Sequence, residues 1–61
     1  PQLEGQQLSI WQAVEAEPLS FEELLSRLNM DTAELNTQLT LMEMEGYLEA
    51  LPGRMFGRST R

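Results

Sequence analysis

Two helix-start signals eleven residues apart, a glycine closing the second of those helices, and short apolar segments on either side of Pro52-Gly53 predict a mainly α domain with a small β-hairpin. The fold class expected from that order is a winged helix, a three-helix helix-turn-helix followed by a wing. The expected organisation is a linker remnant over residues 1–7, the winged helix over 8–58 and a tail over 59–61.

The first seven residues are polar apart from Leu3, and Gly5 is expected to break any early helix. From Gln7 to about Ala16, Ile10, Trp11 and Val14 give one apolar side to a short helix, which Pro18 must end. Ser20 is the expected N-cap of the second helix, with Glu23 as its reciprocal partner and Leu19 and Leu24 as a hydrophobic staple. Behind it, Phe21, Leu24, Leu25 and Leu28 form one stripe. The device recurs at Asp31, with Glu34 as its partner and Met30 and Leu35 as staple. Asn29 stands at the reversal between them, because asparagine tolerates left-handed backbone. The third helix is expected over Thr32 to Glu45, with Leu35, Leu39 and Met42 facing the core and Gly46 ending it. Residues Tyr47 to Leu51 and Arg54 to Arg58 then read as paired strands. Pro followed by Gly suits a type II turn, which splays a tight hairpin, so a slightly longer loop is expected.

The composition narrows function. The chain has 61 residues, ten acids against four basic residues, no His and no Cys, for a net charge of −6. Disulfides, thiolate metal sites, a cysteine nucleophile and the usual general base are therefore excluded. A domain of about 60 residues buries only about 60% of its unfolded surface, too little for a core plus a roomy catalytic cleft. The expectation is no enzyme, no cofactor, no metal and no membrane span. The expected compartment is the cytoplasm, with which the lack of cysteine is consistent.

The third helix is where a helix-turn-helix protein reads DNA. Its outward face carries Ala33, Asn36, Thr37, Thr40 and Met44, but it has no Lys or Arg, and Glu34, Glu43 and Glu45 lie on or beside that face. Carboxylates without cations repel phosphate. Nucleic-acid contact, if made, is expected to be weak and on the wing, where Arg54, Phe56 and Arg58 share a strand face and Arg61 follows. The alternative is that Phe56 packs on the core and the arginines decorate a sheet edge. Leu41 lies about 130° around the third helix from the core stripe, and Met44 is its surface neighbour. The pair is a candidate protein interface, the alternative being that the wing folds over Met44 and leaves Leu41 alone. No pair of carboxylates has catalytic spacing, and no glycine loop is built to cradle phosphate.

Several of these segments together resemble a known family. Glu15-Ala16-Glu17-Pro18-Leu19-Ser20, the stripe from Leu39 to Met42 running into Gly46, and Leu51-Pro52-Gly53-Arg54-Met55-Phe56-Gly57-Arg58 are similar to the C-terminal winged-helix domain of DNA processing protein A, the DprA/Smf family of bacterial natural transformation. The resemblance covers about residues 8 to 58. Arg54 stands where that pattern has a second wing glycine, Phe56 where it has tyrosine, and Asn29 where a turn glycine is common. The resemblance implies a parent that binds single-stranded DNA, through a Rossmann-like domain, and helps load the RecA recombinase. The module itself is then expected to contact that domain or another protein.

Overall fold

The computed structural model describes residues 3–59. In chain order it contains α1 (Gly5–Ala13), β1 (Leu19–Ser20), α2 (Phe21–Leu28), α3 (Thr32–Glu45), β2 (Leu48–Leu51) and β3 (Met55–Arg58). The strands form one antiparallel sheet in the order β1-β3-β2. Three helices with a wing of this kind make a winged helix.

Local chemistry sets the helix starts. The Ser20 hydroxyl accepts from the Glu23 N–H at 3.1 Å, and Glu23 Oε1 accepts from the Ser20 N–H at 2.9 Å, closing the capping box of α2. At α3 only half of that device forms. Asp31 Oδ2 accepts from the Ala33 N–H at 3.0 Å, while the Glu34 carboxylate accepts from Gln6 Nε2 of α1 at 3.5 Å. The expected reciprocal bond is lost because a charged aspartate cap repels the glutamate that would fold back over it, and Gln6 offers that glutamate a donor. Ser20→Ala should therefore cost about 1 kcal/mol of stability, whereas Glu34→Gln should stay within about 0.5 kcal/mol. Urea denaturation checks this, and equal losses would contradict the asymmetry.

The helix ends follow the expected punctuation. Asn29 ends α2 in the left-handed region at φ 55°, and Gly46 ends α3 at φ 90°. The core is Ile10, Val14, Leu19, Phe21, Leu24, Leu35, Leu39, Met42 and Leu48, with Leu25, Leu28, Trp11 and Phe56 half-buried against it. Every core position anticipated on α3 lies inside.

Most departures lie in the first third of the chain. Residues 5–7, expected as linker, are the first residues of α1, which Gly5 enters at φ 57°. Glycine adopts that backbone freely, so here it begins a helix rather than breaking one. The same helix ends at Ala13, not Ala16, with Val14 as a buried C-cap. Burying Val14 turns the chain out of the helix early, and the segment to Pro18 then carries it across to β1. That strand was not expected: Leu19 and Ser20 pair with Phe56 and Met55, making β3 the central strand of three. Tyr47 precedes β2 and donates its N–H to the Met42 carbonyl at 2.9 Å.

Candidate functional site

The wing loop comprises Pro52, Gly53 and Arg54, because Leu51 pairs with Met55. Gly53 has φ 83°, as the third position of a type II turn requires. Arg54 follows at φ 58°, a left-handed conformation that favours glycine, at the position where the resembled pattern has one. Two contacts hold it there. Its carbonyl accepts from the Phe21 N–H at 3.0 Å, one of the donors that the start of α2 leaves unpaired. Its guanidinium sits over the Phe21 ring, 4.8 Å from the centroid. The wing tip is thus fastened to the start of α2.

This geometry yields a test. Arg54→Gly keeps the carbonyl bond, relieves about 1 kcal/mol of left-handed strain and gives up a cation–π contact of about 0.5–1 kcal/mol. Its melting temperature should stay near that of the parent chain. Arg54→Val loses the stack and adds β-branched crowding to the left-handed strain that the arginine already bears, and should cost about 1 kcal/mol or more. Identical melting of the two variants would contradict the left-handed placement.

Arg54, Phe56 and Arg58, expected to share one strand face, do not all lie on the strand. Arg54 stands in the turn instead of on the strand. Phe56 is half-buried on the core side. Arg58 stands at the end of β3 away from the loop, and its Nε donates to the Trp11 carbonyl of α1 at 3.1 Å. Its guanidinium carbon stacks 3.4 Å from the Trp11 ring centroid. The carbonyl of Trp11, in the last turn of α1, thereby gains a charged donor. Arg61 lies outside the described residues. The three-residue loop accounts for the separation, because it takes Arg54 out of the strand while Arg58 stays in it.

On α3 the outward positions are as expected: Ala33, Asn36, Thr37, Thr40, Leu41 and Met44 are exposed. The wing leaves Met44 uncovered at 77% exposure, and Leu41 is 40% exposed. Between the start of α2, α3 and the wing tip lies an open groove of about 740 Å³. It presents Phe21, Leu25, Thr32, Asn36, Glu22 and Arg54. The Ser20 hydroxyl at its edge is already engaged as a cap. Among the described residues no three His, Cys, Asp or Glu side chains gather as a metal-binding group, and no helix is long and apolar enough to cross a membrane.

Sequence reasoning missed the Arg58–Trp11 stack. The two residues are 47 apart in the chain, and no local periodicity links a strand end to a helix end. Among protein families, the model of the DprA winged helix domain matches residues 1–54, stopping at the wing tip. No curated protein and no solved structure is matched.

Proposed function

The chain belongs to the DprA winged-helix family, and from that membership we propose that it is a non-enzymatic accessory domain of a DprA-like DNA-processing protein. The setting we propose is the cytoplasmic handling of incoming DNA in natural transformation and recombination. Within it, the domain makes protein–protein or interdomain contacts, with a Rossmann-like DNA-binding domain of the same chain or with another protein. The observation that carries this reading is the outer face of α3. It has no Lys or Arg, bears acids, and exposes Leu41 and Met44 where a DNA-reading helix would present donors to bases and cations to phosphate.

The test uses a DprA-like chain that contains this domain alongside a Rossmann-like one. Leu41→Ser with Met44→Ser should lower transformation frequency while leaving the affinity of the whole protein for single-stranded DNA unchanged. Wild-type transformation by that variant would sink the interaction reading. A drop in DNA affinity instead would move the function to nucleic-acid contact.

A second reading, weak nucleic-acid binding by the wing, is favoured by one feature. Arg54 is exposed at the wing tip, stacked on Phe21 and paired with no carboxylate, so a phosphate meets a free cation beside an aromatic ring. Against it, Arg58 is occupied on Trp11. Arg54→Ala abolishing salt-sensitive single-strand binding by the 61-residue chain would support this second reading.

A further inference from the structure

We propose that the outer face of α3 docks a cationic amphipathic segment of a partner polypeptide, with Leu41 and Met44 as its apolar seat and Glu34 and Glu45 as its charged rim. This rests on the reading of the domain as an interaction module and names the chemistry of the partner.

The face is continuous. Glu34, Thr37, Leu41 and then Met44 and Glu45 follow one another at spacings of three and four residues, which brings them onto one side of a helix. All five are exposed. From Glu34 to Glu45 the face runs about 16 Å, three turns of helix. Leu41 and Met44 lie toward the Glu45 end of that face, about 10 and 15 Å along it from Glu34, so it matches a helical segment of about three turns with apolar residues toward one end, a Lys or Arg beside them and another toward the far end. The Gln6 amide that bonds Glu34 is neutral and leaves the charge of that carboxylate in place.

Charge selects among occupants. DNA is repelled by the same acids. A second copy placed face to face would oppose carboxylate to carboxylate across the interface. Docking the wing of a second copy would offer Arg54 alone among its described arginines, because Arg58 is held on Trp11, and one cation cannot meet carboxylates at both ends of the face. None of the described arginines pairs with a carboxylate of α3, so among the described residues the acids on that face have no cation partner. Complementary charge would speed encounter with a basic partner, and Leu41 and Met44 would hold it.

The experiment follows backbone amide shifts of the 61-residue chain during titration with three probes. They are a synthetic amphipathic helix of leucine and lysine, the same sequence with glutamate for lysine, and a lysine homopolymer. The leucine–lysine peptide should shift Thr37 to Glu45, more tightly than the homopolymer and less tightly as salt rises. Met44→Ser should weaken it by about tenfold, as for the loss of one apolar anchor. If the glutamate peptide binds the same face equally well, the cationic assignment is overturned while the interaction face stands. If the homopolymer matches the leucine–lysine peptide, or shifts spread over Glu15, Glu17 and Glu49 without a centre on α3, the docking site is overturned. Absence of binding by every peptide also overturns it, and the transformation experiment then judges the broader reading separately.

Discussion

Leu39→Ala should remove about 2–5 kcal/mol of stability, the usual loss when a buried leucine is truncated and its surroundings only partly collapse. Leu39 is 2% exposed in the middle of α3, between Leu35 and Met42 on the same buried stripe. A domain of this length has a total stability of roughly 3–9 kcal/mol at the general per-residue rate, so one side chain carries a large share of it. Leu41→Ala, on the same helix but 40% exposed, removes the same atoms from solvent-facing surface and should cost under about 1 kcal/mol. Denaturant midpoints of the two variants measured side by side read the difference directly. Equal midpoints would mean that the helix is rotated about its axis, so that Leu41 and Met44 do not share its outer face.

Arg58→Ala should cost about 1–3 kcal/mol, the second largest effect expected. It removes a charged donor from the Trp11 carbonyl and a stacked cation from the Trp11 ring, interactions worth about 1.5–3 and 0.5–2 kcal/mol that overlap and do not add. Arg58→Lys keeps the charge but loses the flat stack and the fixed Nε donor, so it should recover only part of the loss. The chain has a single tryptophan, so its fluorescence reports on the surroundings of Trp11, this contact and the core beside it. Both variants should change the Trp11 emission in the folded state. Wild-type stability together with unchanged emission would show that the arginine is free at the surface, and would return it to the nucleic-acid reading of the wing.

The elements that were legible in the sequence are those specified by neighbours within about one helical turn. Ser20 with Glu23, Asn29, Asp31 and Gly46 are local signals, and each appears where its spacing places it. The buried stripe of α3 was legible for the same reason, because Leu35, Leu39 and Met42 recur at helical intervals. What the sequence hid was long-range. The strand β1 is two residues long and exists because β3 offers it a partner 37 residues away at Phe56, a pairing with no period of its own. The stack of Arg58 on Trp11 and that of Arg54 on Phe21 likewise join distant segments. Those two contacts separate the wing residues that spacing alone put together. They explain why one apparent basic face becomes two unrelated positions, while Leu41 and Met44, placed by helix geometry, stay together on the surface.

The sheet also shows why the central strand admits a glycine. A side chain added at Gly57 would place its Cβ 3.2 Å from Pro18 Cγ and 3.6 Å from Leu51 Cδ1. Pro18, between α1 and β1, lies directly against β3 there, so an added side chain would have to push its ring back by a few tenths of an ångström.

The most direct test of the central claim, that α3 is an interaction helix and not a DNA-reading one, is an amide-shift map of the 61-residue chain titrated with single- and double-stranded DNA at low salt. Asn36, Thr37, Thr40 and Met44 should not move, and any shifts should be confined to the wing around Arg54 and vanish at moderate salt. Saturating shifts along the outward face of α3, persisting as salt is raised, would contradict it.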